Sequence, residues 1–317
     1  MSDPTALADV VRRGLLATPK SLPPYLFYDA EGSRLFEQIT TLAEYYPTRT
    51  ERAIFERYRA AIVSAAQTGP TRAPTVFELG AGTSTKTQIL LEELARGGAP
   101  VVYVPCDLSP TALAEGQARL RVELPGVDVR PLVAPHGVAL ASARRVEGPL
   151  VVLFVGSSLG NYEDTDAVAL LAEVAASLGD RGALVLGVDA PKPLEVLVPA
   201  YDDAAGVTAA FNLNLLVRLN RELGAHFDVA RFRHFARWNE AASAIEMHLV
   251  SLVPQRVAID ALDLVIDFTA GETIHTESSH KYDDARVDAL FRAAGLARVE
   301  TFRDERRWFS VHVARRR

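Results

Sequence analysis

Short apolar runs alternate with amphipathic stretches between residues 75 and 190. Strand-like runs lie at Pro100–Pro105, Leu150–Val155 and Ala183–Val188, and helix-like stretches that end in glycine or proline separate them. Apolar strands that alternate with helices are typical of a parallel sheet with helices on both faces. The pattern therefore predicts an α/β fold with a doubly wound, mostly parallel sheet.

The alternation stops at Ala190-Pro191-Lys192-Pro193 and resumes at Asp283. The segment between them predicts a long helix over Tyr201–Glu222, followed by strand-like runs. From Asp283 onward we expect a helix and an antiparallel hairpin that closes the sheet. Two domains follow: a sheet domain, and a second domain in which a helical preface joins an inserted α+β segment. The sheet domain takes residues 51–193 and 281–317, and the second takes 1–50 and 194–280.

Residues 76–87, Val-Phe-Glu-Leu-Gly-Ala-Gly-Thr-Ser-Thr-Lys-Thr, join the first strand of this pattern to its first helix. Gly80 and Gly82 predict a tight turn before a helix over Ser84–Ala95. A turn that binds dinucleotides would carry a third glycine where this chain has Thr85. The Glu-x-Gly-x-Gly form instead favours S-adenosylmethionine, which has an amino acid end and an adenosine end. A plain strand-to-helix turn is the alternative.

Polar residues at three places in this predicted sheet domain could bind a ligand. Asp107 ends the second strand, where a carboxylate can accept both hydroxyls of an adenosine ribose, although it could also cap the helix near Pro110. Lys86 falls in the first turn of a helix, where a cation is disfavoured, so it either pairs with the cofactor carboxylate or is exposed. Gly156–Asn161 follows the fourth strand, and Asn161 offers a donor and an acceptor to an amino acid, although Gly-Asn is also common in turns.

Composition excludes several classes of protein. The chain has 317 residues, enough for a large α/β domain and a smaller one, and its net charge of −6 argues against binding to nucleic acid backbones. The single cysteine, Cys106, excludes an intramolecular disulfide and is expected to be a small buried hydrophobe. Residues 1–4 carry no signal-peptide pattern and no apolar run is long enough to span a membrane, so we expect a cytoplasmic protein. We also expect a monomer.

The histidines do not predict a metal site. His275 and His280 flank Glu277, but their spacing in a strand puts the two rings on opposite faces. No Gly-x-Ser-x-Gly motif occurs, so acyl-transfer hydrolysis is not expected either.

Several longer blocks of sequence form a further pattern from about residue 15 to the C-terminus. They are Lys-Ser-Leu-Pro-Pro at 20–24, Phe-Tyr-Asp-Ala at 27–30, Glu-Tyr-Tyr-Pro-Thr-Arg-Thr-Glu at 44–51, Glu-Leu-Gly-Ala-Gly-Thr at 78–83, Gly-Ser-Ser-Leu-Gly-Asn at 156–161, Tyr-Asp-Asp-Ala-Ala-Gly-Val-Thr-Ala-Ala-Phe-Asn at 201–212, Ile-Glu-Met at 245–247 and Thr-Glu-Ser-Ser-His-Lys-Tyr at 276–282. Together they resemble the histidine-specific Nα-methyltransferases of ergothioneine biosynthesis. Enzymes of this family convert histidine to its trimethylammonium betaine, hercynine.

The resemblance implies a class I methyltransferase sheet, an inserted substrate-binding domain and a role for individual residues. The catalytic groups that hold the amino and carboxylate ends of the substrate are expected to be Tyr45, Asn161 and Tyr201. The imidazole is expected to be read by Glu277 and Ser279, with Met247 and Phe36 as apolar walls.

The resemblance also implies the S-adenosylmethionine site. Its matching residues are Gly80, Gly82, Lys86, Asp107 and Gly156. This chain departs from the family at Pro135-His136, where an Asp-Phe pair usually contacts the adenine. We therefore expect that the adenine is held differently here or that the cofactor binds more weakly.

The chemistry of methyl transfer agrees with these roles. The reaction is an in-line displacement at a sulfonium carbon, for which the protein chiefly supplies alignment and exclusion of water. A Glu277–Ser279 pair can hydrogen-bond both imidazole nitrogens, so a ring without those groups would leave a buried carboxylate unpaired. The sequence identifies no general base. Two alternatives stay open: methylation of another amino acid, and a non-catalytic regulatory protein that binds S-adenosylmethionine.

Overall fold

The computed structural model of this chain describes residues 4–67 and 74–317. Residues 1–3, which belong to the segment expected to lack a signal peptide, and residues 68–73 lie outside the described part. Contacts between residues divide the chain into two compact units. The α/β unit comprises residues 47–191 and 280–317, and the α+β unit comprises residues 1–46 and 192–279. The sequence placed the corresponding boundaries at 51, 193 and 281; the substrate-binding role assigned to the second domain stays a prediction.

Helices and strands make up most of the described residues in both units. In chain order, the helices are α1 (Pro4–Leu16), α2 (Ala30–Thr41), α3 (Tyr46–Ala66), α4 (Gln88–Ala95), α5 (Pro110–Glu123), α6 (His136–Ala143), α7 (Asp164–Leu178), α8 (Leu194–Leu197), α9 (Val207–Leu223) and α10 (Asp284–Ala293). The strands are β1 (Lys20–Ser21), β2 (Thr75–Leu79), β3 (Val101–Asp107), β4 (Val127–Val129), β5 (Leu132–Val133), β6 (Leu150–Phe154), β7 (Ala183–Asp189), β8 (Phe232–Asn239), β9 (Ala244–Ser251), β10 (Gln255–Ile259), β11 (Leu264–Phe268), β12 (Thr273–His280), β13 (Leu296–Arg303) and β14 (Phe309–Arg316). Within the described ranges, no helix is both long and apolar enough to cross a bilayer.

The α/β unit is built on one eight-stranded sheet. Its strand order is β13-β14-β7-β6-β2-β3-β4, and β5 also pairs with β3. The pairs from β7 through β4 are parallel, whereas β14 runs antiparallel to β7 and to β13. This arrangement confirms the predicted α/β class and the terminal antiparallel hairpin. Because parallel strands end at the same edge, it brings the residues after β2, β3 and β6 to one side of the sheet.

Two hydrophobic cores cover the two faces of this sheet. Val152 and Phe154 belong to one core, and their neighbours Val151 and Leu153 belong to the other. Successive side chains of a strand point to opposite faces, so a strand buried on both sides has an unbroken apolar sequence. Cys106 in β3 lies in the first of these cores and is fully buried, as predicted, and burial raises the pKa of its thiol to about 12.

The α+β unit is built on a smaller sheet with the strand order β1-β12-β9-β8. Strands β8 and β9 are antiparallel, β1 runs parallel to β12, and β10 and β11 form a separate antiparallel hairpin. Helix α9 packs against β8, β9 and α2. The helix was predicted to begin at Tyr201, but it begins at Val207. The Asp203 carboxylate accepts the N–H groups of Val207 and Thr208 at 2.9 and 2.7 Å, which satisfies donors that a helix start leaves unpaired.

Two further elements differ from the sequence-based prediction. The helix after the glycine turn was expected from Ser84, but it begins at Gln88. Ser84 has a φ of +60°, outside the right-handed helical region, so the turn extends further along the chain. Helix α6 was not predicted, because its apolar and small residues give little amphipathic periodicity.

An ion pair without solvent contact lies at the end of β7. The Lys281 Nζ atom is 3.0 Å from Asp189 Oδ2, and neither side chain has any exposed area. The main chain of Asp189 is fixed as well, because its N–H donates to Ser157 Oγ at 3.0 Å and its carbonyl accepts the N–H of Tyr282 at 2.8 Å. This pair joins β7 to the segment that follows β12.

We expect the Lys281→Met substitution to destabilise the protein by about 3–5 kcal/mol, because it leaves a buried carboxylate without its cation. Thermal unfolding followed by circular dichroism measures the effect. The matched control is Arg256→Met, which removes an ion pair with Asp267 in which both side chains are about three quarters exposed. Equal melting temperatures for the two variants would contradict the importance of the buried pair.

Candidate functional site

The glycine turn of the α/β unit has a backbone that favours glycine. Gly80 and Gly82 have φ angles of +69° and +52°, in the left-handed region that side chains disfavour. A Cβ atom added to Gly82 would meet no atom within 4 Å, so the space over the turn is open. A ligand can therefore approach this backbone closely.

Asp107 fastens the end of β3 to the glycine turn. Its Oδ2 accepts the N–H of Gly82 at 2.9 Å, and its Oδ1 accepts the N–H of Ser109 at 2.8 Å. The alternative role as a helix cap is wrong, since the cap of α5 is Ser109, whose Oγ accepts the N–H of Ala112 at 3.3 Å. A carboxylate oxygen can accept a second hydrogen bond, so these contacts leave capacity for ribose hydroxyls.

Lys86 pairs with Glu51, a residue of α3 that sequence reasoning missed. The Glu51 side chain has no exposed area, while that of Lys86 is 18% exposed, so the interpretation of Lys86 as an exposed lysine is wrong. Lys86 also precedes α4, so the argument from the helix dipole does not apply to it. Glu51 accepts the N–H of Gly156 at 2.9 and 3.0 Å, and a Cβ at Gly187 would lie 1.9 Å from Glu51 Oε1. The sequence showed Glu51 only as the last residue of the block at 44–51.

Glu78 is a second buried carboxylate beneath the turn. Thr87 Oγ1 donates to its Oε1 at 2.6 Å, and the Tyr103 hydroxyl contacts its Oε2 and lies 2.8 Å from Ser84 Oγ. Burial is the main reason that the pKa of Glu78 rises to about 7, against a usual value of 4.5. Glu78, the acidic residue before the two glycines, therefore stabilises the base of the turn through these hydrogen bonds.

His136 lies beside the same turn. Pro135 immediately precedes α6, His136 opens it, and the His136 Nδ1 atom is 2.8 Å from the Tyr162 hydroxyl. The ring of His136 meets the ring of Phe154 edge to face, and its Nε2 would lie 3.8 Å from a Cβ added to Gly80. Burial lowers the pKa of His136, which favours the neutral imidazole. Where the resemblance implied an Asp-Phe pair, the structure thus has a neutral aromatic ring next to the turn.

The last candidate of the α/β unit follows β6. Gly156 has a φ of +78° and is held by Glu51, and Asn161 ends a short 3-10 helix over Ser158–Asn161. Asn161 is partly buried.

Among the residues that the structure describes, no three His, Cys, Asp or Glu side chains are grouped so as to hold a metal ion.

In the α+β unit, four predicted substrate residues form a connected group. The Phe36 ring packs edge to face against Tyr45, with centroids 6.2 Å apart, and Tyr45 packs in the same way against Tyr201 at 6.4 Å. The Tyr201 hydroxyl lies 2.7 Å from Ser279 Oγ. The structure therefore brings together groups that the resemblance assigned to opposite ends of the substrate.

Strand β12 carries Glu277 and Ser279, and its burial pattern changes at this point. Positions alternate between buried and partly exposed up to Thr276, but Glu277 is also buried, at 8% exposure. His275 Nε2 is 3.0 Å from Ser278 Oγ, a contact that a regular strand would not allow between residues three apart. These features show that the regular alternation of the strand breaks at Thr276–Glu277. Met247 lies on the adjacent strand β9 and is 2% exposed.

Comparison with known proteins identifies the family of the chain. A family model described as a histidine-specific, SAM-dependent methyltransferase matches residues 7–316. The chain is 42% identical over 309 residues to a histidine N-alpha-methyltransferase of Mycolicibacterium smegmatis, an alignment that covers 98% of this chain and 94% of that protein. It is 29% identical over 293 residues to ergothioneine biosynthesis protein 1 of Neurospora crassa, covering 89% of this chain and 32% of that protein.

A more distant relative acts on another amino acid. The chain is 27% identical over 325 residues to an L-tryptophan methyltransferase of Psilocybe serbica, covering 95% of this chain and 90% of that protein. The family model and the mycobacterial relative nevertheless agree over almost the whole length, and they confirm the resemblance drawn from the sequence blocks. This chain belongs to the family of histidine-specific, S-adenosylmethionine-dependent methyltransferases.

Proposed function

We propose that this protein transfers methyl groups from S-adenosylmethionine to the α-nitrogen of L-histidine, up to the trimethylated betaine hercynine, in ergothioneine biosynthesis. Besides family membership, one observation supports the choice of histidine. A buried carboxylate, Glu277, and a buried hydroxyl, Ser279, lie two residues apart in β12, and the Tyr201 hydroxyl is hydrogen-bonded to Ser279. Such a set suits a ring with both a donor and an acceptor nitrogen.

Recognition of the imidazole is assigned to two side chains. Glu277 accepts the ring N–H, and the Ser279 hydroxyl donates to the other nitrogen, while Met247 and Phe36 cover the apolar parts of the substrate. An indole offers one donor and no acceptor, so it would leave one of these buried groups without its substrate contact. Sites that hydrogen-bond a polar ring can discriminate against analogues by about 10⁴ or more.

Tyr45, Asn161 and Tyr201 are assigned to the amino and carboxylate ends of histidine. Their role is to orient the α-nitrogen and to keep its lone pair directed at the methyl carbon. The amine must be neutral before each transfer, and a dimethylated amine still has a lone pair. Three transfers are therefore chemically possible, and the reaction ends at the quaternary product.

The residues of the α/β unit fit the cofactor. When bound, S-adenosylmethionine supplies an electrophilic methyl group on its sulfonium. Asp107 has spare acceptor capacity for the ribose hydroxyls, and Lys86 supplies a cation for the cofactor carboxylate. Gly80, Gly82 and Gly156 all have positive φ angles, and the glycine turn leaves room for a ligand. We further propose that the protein acts in the cytoplasm as a monomer, without a membrane or nucleic acid partner.

Incubation of the purified protein with L-histidine and S-adenosylmethionine should give products that carry one, two and finally three added methyl groups by mass spectrometry. A panel of amino acids that includes tryptophan tests the alternative substrates. A faster reaction with another amino acid would contradict the substrate assignment. Cofactor binding without any methylated product would support a regulatory protein instead.

Two substitutions should separate effects on substrate binding from effects on cofactor binding. Glu277→Ala is expected to weaken histidine binding by about 10- to 100-fold, because a hydrogen bond to a charged group contributes about 1.5–3 kcal/mol, and to leave cofactor affinity within about twofold. Asp107→Ala is expected to weaken cofactor binding and to leave the affinity for histidine within about twofold. Isothermal titration calorimetry with histidine and with the demethylated cofactor measures both affinities. The exposed residues Glu240 and Asp180 provide alanine controls, and equal losses for both ligands in either variant would refute its assignment.

The buried Glu78 predicts a pH dependence of stability. Its pKa is about 7 in the folded protein against 4.5 when unfolded, so the folded state binds the extra proton between these values. Stability is therefore lost as the pH rises from 4.5 to 7, by about 3 kcal/mol at 1.36 kcal/mol per pH unit.

The Glu78→Gln substitution keeps an uncharged side chain of the same shape and should remove this loss. Denaturant unfolding at pH 5 and pH 8 gives the comparison, with Glu173→Gln on the exposed face of α7 as the control. An unchanged pH dependence in Glu78→Gln would show that Glu78 does not titrate in this range.

A further inference from the structure

A buried chain of hydrogen bonds runs behind the candidate substrate residues of the α+β unit. It joins His234 in β8, Asn212 in α9 and Thr276 in β12, all of which are 9% exposed or less. The Asn212 Nδ2 atom is 2.9 Å from His234 Nδ1, and the Asn212 Oδ1 atom accepts from Thr276 Oγ1 at 2.9 Å. Asn212 and Thr276 belong to the sequence blocks at 201–212 and 276–282, which gave them no role.

Each end of this chain reaches the main chain at a candidate substrate residue. The His234 Nε2 atom is 2.8 Å from the carbonyl oxygen of Tyr201. The Thr276 Oγ1 atom is 3.0 Å from the carbonyl oxygen of Met247, so its one hydroxyl hydrogen faces two acceptors, that carbonyl and Asn212 Oδ1. Thr276 also directly precedes Glu277 in β12. The chain thus links the backbone at three residues that we assign to the substrate.

The contacts define the tautomer and the protonation state of His234. Since a carbonyl oxygen can only accept, Nε2 must carry the proton that it donates to Tyr201. Nδ1 then accepts from Asn212, whose other N–H donates to the carbonyl of His248 at 3.1 Å. Burial lowers the pKa of His234, although the carboxylate of Asp202 lies 3.9 Å from Nε2. A neutral imidazole is required, because a proton on Nδ1 would face the amide N–H of Asn212.

We propose that His234, with Asn212 and Thr276, positions the substrate-binding residues, and that the Nε2 bond to the Tyr201 carbonyl sets the affinity for histidine. This inference rests on the proposed role of Tyr201. Buried polar groups need partners whether or not they serve a site, so stability alone does not identify such a role. A role in the site differs from a purely structural role in one respect: the Nε2 contact of His234, and not its Nδ1 contact, determines the affinity for the substrate histidine.

Two substitutions of similar size separate the two nitrogens. His234→Gln extends an amide to about the place of Nε2, so it retains a donor to the Tyr201 carbonyl. His234→Asn has its amide at about the place of Nδ1, so it retains a partner for Asn212 and loses the donor to Tyr201. Both place one polar group in the same buried position. His226→Asn is the control, because that ring is 61% exposed and contacts Asp260 in the same unit.

Steady-state kinetics should show a KM for histidine about 10-fold higher in His234→Asn and within about threefold of the parent in His234→Gln. The KM for S-adenosylmethionine should stay within about twofold in both variants. Equal KM values for histidine in the two variants, or equal losses for both substrates, would overturn the inference.

A second pair covers the case in which the His234 variants do not fold. Thr276→Val keeps the shape and loses the hydroxyl, and should raise the KM for histidine about threefold, whereas Thr276→Ser should match the parent. Identical values for this pair would also overturn the inference. If Glu277→Ala binds histidine normally, the proposed site itself fails; if Glu277→Ala loses histidine but His234→Asn does not, only the positioning chain fails.

Discussion

The carboxylate of Glu51 is the point at which three elements of the α/β unit meet. It comes from α3, accepts the N–H of Gly156 after β6, and pairs with Lys86 in the glycine turn. Burial of a carboxylate charge is costly unless a cation and hydrogen-bond donors surround it. The positions of two cofactor-site residues therefore follow from one buried charge, and Gly187 supplies the space that this charge occupies.

The same constraint governs the other buried polar groups. Glu78 under the turn accepts hydrogen bonds from hydroxyl groups, and its pKa is raised. Asp189 forms an ion pair with Lys281. In the α+β unit, Asn212 uses both of its N–H groups and its carbonyl oxygen within the core. In both units, satisfied polar groups of this kind fix the backbone to which the proposed ligand contacts belong.

Much of the α/β unit could be predicted from the sequence. Apolar runs such as Leu150–Val155 indicate strands buried on both faces, and Gly80 and Gly82 indicate a tight turn. The start of α4 at Gln88 could not be predicted, because Ser84 adopts a left-handed conformation within a Ser/Thr-rich stretch. Partners such as Glu51 for Lys86, 35 residues apart, also leave no local pattern.

The α+β unit was harder to predict in detail. The sequence blocks identified Tyr45, Tyr201, Glu277 and Ser279 as candidates by resemblance. Periodicity could not show that both Thr276 and Glu277 are buried, since two adjacent buried residues break the alternation on which such predictions depend. His234 was overlooked because it lies outside the recognised blocks and acts through main-chain atoms.

The position of the transferred methyl group tests the proposed function most directly. Histidine offers the α-nitrogen and two ring nitrogens, and we assign Glu277 and Ser279 to the ring, which leaves the α-nitrogen for transfer. The measurement is nuclear magnetic resonance of the product made with a methyl-labelled cofactor and nitrogen-labelled histidine. We predict that the label is bonded to the α-nitrogen alone. A methyl group on an imidazole nitrogen would contradict this assignment.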